Sequence, residues 1–165
     1  MTASAKVLLV DDEPEFVATL SRRLTKRNYS AACAHSGKNA LAQLEKDRDI
    51  EVVVQDVKMP GLDGIETLKR IKAKRPLVEV IMLTGHSTLN SAINAIKLGA
   101  CDFLLKPVAI EQLVLKMEQA AESKRRRDNQ ILEVYMKPYI TQREREKLIA
   151  DILDSPSNSN KIREI

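Results

Sequence analysis

The chain has 165 residues, 44% hydrophobic and 30% charged with no tryptophan, a balance that suits one domain with a proper core and a small appendage. Its net charge of +4 divides evenly between residues 1–118 and 119–165, and the one dense basic run, Lys124-Arg125-Arg126-Arg127, reads as a solvated helix face rather than a nucleic-acid surface. Cys33 and Cys101 lack metal-site or disulfide-framework spacing, and the first apolar run is too short for a leader or a membrane span. A cytoplasmic protein with no membrane insertion is the expectation.

Residues 6–10 form a short Val/Leu run of the kind buried on both faces of a parallel sheet. Pro14 then fits a first helical turn, Phe16, Val17, Leu20 and Leu24 recur at helical spacing, and Asn28 ends that helix. Residues 29–34 make a weaker second strand, and Ser36-Gly37 opens a helix carrying Ala40, Leu41 and Leu44. Ile50 and Val52 to Val54 give the third strand. After a turn at 59–64, Ile65, Leu68 and Ile71 mark a third helix that Pro76 stops. Residues 80–83 are the fourth strand, and residues 88–98 form a helix with Ala92, Ile93 and Ile96 inward and Gly99 as its closing residue. Residues 103–105 make the fifth strand, and a fifth helix runs from Ala109. This alternation predicts an α/β fold with a doubly wound, five-stranded parallel sheet in the flavodoxin-like order 2-1-3-4-5 and helices on both faces.

The polar residues that interrupt the apolar runs all fall at strand carboxyl ends. Asp11 and Asp12 follow the first strand, Asp56 the third, Thr84 the fourth and Lys106 the fifth, so the topology brings them to one edge. Three carboxylates there repel one another unless they share a cation, and a hard divalent ion with oxygen ligands suits them. Alone, Asp11-Asp12 would fit a helix start and Thr84 an ordinary strand end. Their register with Asp56 and Lys106 overrides both readings. Asp63-Gly64 reads as a turn and helix start, Met59-Pro60-Gly61 as turn chemistry, and Cys33, Cys101 and His35 as packing or surface residues.

Together Asp11-Asp12, the run from Asp56 through Lys58-Met59-Pro60-Gly61 to Gly64, Thr84-Gly85 and Lys106-Pro107 resemble the receiver domains of two-component response regulators. The likeness covers residues 5–122, and the stretch from Thr84 to Pro107 is most similar to receivers of the NtrC type. The resemblance implies that Asp56 is phosphorylated by a sensor histidine kinase or a histidine phosphotransfer protein. It implies Mg²⁺ or Mn²⁺ held by Asp12, Asp56 and the Lys58 backbone carbonyl, with Asp11 assisting. Lys106 would pair with Asp56 or its phosphoryl group, Thr84 and Phe103 would form the switch, and the Lys106–Pro107 peptide would be cis. Lys58 and His86, flanking the site, would tune the acyl-phosphate lifetime. The output would pass to a downstream protein or to a second copy in a homodimer. Two positions depart from the commoner pattern: Gln55 stands where an apolar residue is usual, and Phe103 lacks a tyrosine hydroxyl.

Beyond the likeness, residues 123–165 are expected to be a helical extension with a frayed tail. Leu113, Met117, Ala120 or Ala121, Lys124, Asp128, Ile131 and Tyr135 fall near heptad spacing, but the two charged members argue against a continuous coiled coil. Lys137-Pro138 has no strand before it and breaks the helix. Thr141 and Glu144 form a capping box for a last helix with Leu148, Ile149, Ile152 and Leu153 on one face, and residues 155–160 read as a turn or frayed end. Residues 140–165 faintly resemble the opening of a NarL/LuxR-type helix-turn-helix, without a recognition helix, and no Walker glycine loop is present, so DNA is not an expected partner. Two alternatives stand beside the receiver: a DNA-binding regulator acting through the tail, and a Mg²⁺ phosphohydrolase of the haloacid dehalogenase type. The latter needs a D-x-D nucleophile after the first strand, which Asp11-Asp12-Glu13 does not supply.

Overall fold

The computed structural model describes residues 4–85 and 89–155. Strands β1 (Lys6–Val10), β2 (Ser30–Ala34), β3 (Ile50–Gln55), β4 (Glu79–Thr84) and β5 (Asp102–Leu105) form one parallel sheet in the order β2-β1-β3-β4-β5. The apolar runs are continuous because both faces are covered. Val7, Leu9, Val52 and Val54 face a core completed by α1 (Pro14–Thr25) and α5 (Ile110–Met136). Leu8, Val10 and Val53 face the opposite core, completed by α2 (Gly37–Lys46), α3 (Gly64–Lys74) and α4 (Leu89–Lys97).

The helix ends follow from their local chemistry. Asn28 adopts a left-handed φ of 65° beyond α1, and Gly99 does the same at 106° beyond α4. Ser36 and Asp63 cap α2 and α3 by accepting from the amides of Asn39 and Glu66. α4 departs from the expected pattern. Ala95 is its buried residue, and Ile93 is 44% exposed instead of turned inward. The helix packs over β5, the edge strand, whose narrow surface covers a smaller stripe than a central strand would.

α5 is one uninterrupted helix of 27 residues that passes through position 122 without a break. Its buried positions run from Ile110, Leu113 and Met117 through Ala120, Ala121 and Ser123 to Arg127 and Val134, so the buried face reaches Val134 and leaves Tyr135 exposed. The basic run is not a solvated face. Arg125 places two nitrogens 2.8 Å from the two oxygens of Glu51 on β3, and the buried Arg127 lies 3.5 Å from the buried Glu79 at the start of β4. Lys124 pairs with Asp128 one turn along. A charge run on a helix suggests a free face, but the acids that take up Arg125 and Arg127 lie more than 45 residues away in sequence, beyond the reach of a helical pattern.

α6 (Gln142–Asp154) begins with the expected Thr141–Glu144 capping box and packs back on α5, with Leu148, Ile149, Ile152 and Leu153 partly buried. Arg127 also donates to the Ser155 carbonyl at 3.0 Å, so one guanidinium ties the end of α6 to the sheet. The later part of the predicted tail lies outside the described residues. No helix among the described residues is long and apolar enough to cross a membrane. Replacing Arg127 with Ala would leave Glu79 buried opposite no guanidinium. Urea unfolding should show a loss of about 3 kcal/mol, and exchange should quicken along α6.

Candidate functional site

β1 and β3 are neighbours at the point where the strand order reverses, so the loops at their carboxyl ends open a crevice. Asp11 and Asp12 leave β1 there, and Asp56 leaves β3. One oxygen from each lies within 4.8 Å of the others, with Asp11 and Asp56 buried and Asp12 half-buried. The backbone fixes two of them directly: the Asp11 amide donates to the Ala34 carbonyl, and the Asp56 amide donates to the Val10 carbonyl at 3.0 Å. Asp11 Oδ1 accepts from the Glu13 amide and Asp56 Oδ1 from the Val57 amide at 2.7 Å, which orients both carboxylates.

Lys106 supplies the positive charge. Its Nζ donates to Asp11 Oδ2 at 2.5 Å and stands 3.7 Å from Asp56 Oδ2, nearer to Asp11 than the sequence suggested. Two features hold it. Its amide donates to the Thr84 carbonyl at 2.8 Å, and its ammonium sits 4.1 Å from the centre of the Phe16 ring. The Lys106–Pro107 peptide is cis. Thr84 is fully buried at the end of β4, and Phe103, on β5, is partly buried against the core on the α4 side.

Lys58 is exposed. With Asp12, Val57, Met59, Pro60, Asp63 and Ile65 it lines an open cleft of about 430 Å³ beside the acidic group. His86 lies outside the described residues. His35 is a surface residue, as expected, and its Nδ1 is 3.3 Å from the Asp11 carbonyl oxygen, on the rim of the site. The sequence reading missed two contributors. Phe16 was legible only as a helix core residue, and nothing in its spacing couples it to Lys106. Gly64 starts α3 as its spacing predicts, and beyond that a Cβ there would lie 2.0 Å from the Asp56 carbonyl oxygen, so the first turn of α3 packs directly on the backbone that presents Asp56.

The fold and site define an α/β protein of flavodoxin-like topology with an acidic pocket at its switch point. The chain belongs to the response regulator receiver domain family, whose match spans residues 7–118. Its relatives are regulators of the NtrC family. It is 39% identical to the transcriptional regulatory protein ZraR of Escherichia coli O157:H7 over 69% of this chain and 26% of ZraR. It is 38% identical to the nitrogen assimilation regulatory protein NtrX of Azorhizobium caulinodans over 73% of this chain and 27% of NtrX. The chain thus matches about a quarter of the length of these curated relatives. Among solved structures, a receiver domain protein from Clostridium thermocellum superposes with a TM-score of 0.70 at 35% identity, covering 73% of this chain and 97% of that one. The beryllofluoride-activated NtrC4 receiver domain dimer gives 0.68 at 35% identity, covering 72% and 98%. These matches favour neither the phosphohydrolase nor the DNA-binding alternative.

The contact at Gly64 makes a direct prediction. Gly64→Ala should cost about 3 kcal/mol in a denaturant titration, because its new methyl meets backbone and not the yielding end of a side chain.

Proposed function

We propose that the chain is a phosphorylation-driven switch, residues 5–122 acting as the receiver unit and 123–165 as its helical extension, working in the cytoplasm. The carrying observation is three carboxylates within 4.8 Å of one another, with one lysine ammonium 2.5 Å from Asp11 and 3.7 Å from Asp56. Such a group has excess negative charge, oxygen donors only, and an open cleft beside it, which suits a hard divalent cation. Asp11, Asp12, Asp56 and the Lys58 backbone carbonyl would hold Mg²⁺ or Mn²⁺. When bound, the ion would neutralise phosphoryl oxygens and orient the phosphoryl donor.

This chain's residues do the rest. An Asp56 carboxylate oxygen attacks the phosphorus of a phosphohistidine on a sensor kinase or phosphotransfer protein. The new O–P bond forms as the P–N bond breaks, and the electron pair leaves with the imidazole nitrogen, which takes up a proton. Lys106 faces the oxygens of the resulting acyl phosphate. Thr84, buried at the end of β4, would turn its hydroxyl toward the phosphoryl group, and Phe103 would follow, shifting the populations of the α4–β5 face. The beryllofluoride-activated NtrC4 receiver domain is a dimer, which supports self-association as one output, and a downstream protein is the other.

Acetyl phosphate and Mg²⁺ test the proposal. Intact mass should show one added phosphoryl group on the wild type and none on Asp56→Asn; an unmodified wild type overturns it. The receiver resemblance gives Lys58 and His86 a role in tuning the acyl-phosphate lifetime, so Lys58→Ala and His86→Ala should each change the decay rate of the acyl phosphate several-fold while leaving its formation intact. Decay rates equal to wild type in both would remove them from that role.

A further inference from the structure

Gln55 is the last residue of β3, directly before Asp56, and it is fully buried. It shares a sheet face with Val53, the face that α3 covers through Leu68 and Ile71. Its Nε2 donates to the Gly64 carbonyl at 2.5 Å, in the first turn of α3. The Gly64 amide in turn donates to the Val57 carbonyl at 2.9 Å. Both peptide groups of Gly64 are therefore held from the β3 side, and the absent Cβ lets α3 lie against the Asp56 carbonyl.

The segment between these anchors, residues 57–63, carries Lys58 and lines the cleft beside Asp12. Its two ends are thus fixed to one another within a residue of Asp56. The amide of Gln55 is a costly way to fill this space. Its Oε1 has no hydrogen-bond partner although fully buried, so an apolar side chain of the same length would pack there at lower cost. What the amide adds is a directed hold on the Gly64 carbonyl.

We propose that Gln55 is a positioning residue for the divalent-cation site: by tethering Gly64 it sets where the Lys58 carbonyl stands relative to Asp12 and Asp56. This rests on the proposed role of that carbonyl and those carboxylates in holding the ion. Gln55 touches neither ion nor phosphoryl group and acts through the loop. Outer partners that orient a ligand commonly govern affinity by about ten- to a hundredfold.

Gln55→Met keeps the length and apolar reach of the side chain but removes the donor. Mn²⁺ binding, read from the electron paramagnetic resonance signal of free Mn²⁺, should weaken about tenfold in this variant, while its circular dichroism confirms the fold. Wild-type affinity in a folded Gln55→Met overturns the inference. A measurement on the wild type stands beside it in case the variant does not fold. Adding Mg²⁺ should slow amide exchange at Gly64 more than at Ile71, further along α3, and equal or no slowing at the two overturns the coupling. A wild type that binds no Mn²⁺ would instead overturn the proposed function on which the inference rests, so the two failures are distinguishable.

Discussion

Mutual repulsion among Asp11, Asp12 and Asp56 is the constraint on which the rest of the structure depends. At separations up to 4.8 Å, each pair of ionised carboxylates costs about 3 kcal/mol at an effective dielectric near 20. No local sequence preference would gather them, so the fold must supply the work. It does so by strand order. β1 and β3 are adjacent, each is followed at once by a carboxylate, and the backbone bonds from Asp11 to Ala34 and from Asp56 to Val10 leave neither loop free to withdraw. The offsetting charge comes from the far side of the sheet. Lys106 follows β5, two strands beyond β3, and reaches the acids across the end of β4. The Thr84 carbonyl holds its backbone and the Phe16 ring supports its ammonium, so the long side chain is directed toward the acids. On the proposed function this would be electrostatic preorganisation, the cation standing where a phosphoryl group would add negative charge.

Much of this was legible in the sequence because the signals were local. Continuous Val/Leu runs gave the strands, Pro14, Ser36, Asp63, Gly99 and Thr141 gave helix boundaries, and the alternation gave the topology. The topology then gathered the polar strand ends into one site without further information. What stayed hidden was set by partners remote in the chain. Ile93 was assigned inward by spacing, but an edge strand covers less of a helix than a central one does. Arg125 and Arg127 looked solvated because a sequence window cannot see Glu51 and Glu79. Gln55 and Phe103 were visible as departures from a familiar pattern. The reason for Gln55 appeared only when Gly64 came to lie against it, and the structure adds no comparable account of Phe103.

The same sheet carries a second electrostatic arrangement at its opposite edge, with the signs exchanged. At the carboxyl ends of the strands a lysine serves buried acids; near the amino ends, Glu51 and Glu79 take up arginines from α5. α5 spans the two. It starts just beyond Lys106-Pro107 and runs about 40 Å, past both arginines, to the turn before α6. An uninterrupted helix has no soft joint, so any displacement of its first turn must either carry the far half with it or be resisted there. Arg125 makes two short bonds to one carboxylate, and Arg127 is buried between Glu79 and the Ser155 carbonyl, so the far half is gripped at two points along its buried side. A gripped far half favours resistance. On the proposed function, movement at the site edge would then fall to α4, whose burial rests on the small Ala95 and whose Leu89 and Ile93 remain exposed, rather than to α5. On that reading the basic run would brace α5 and the α6 hairpin against the sheet while Asp56 gained its phosphoryl group.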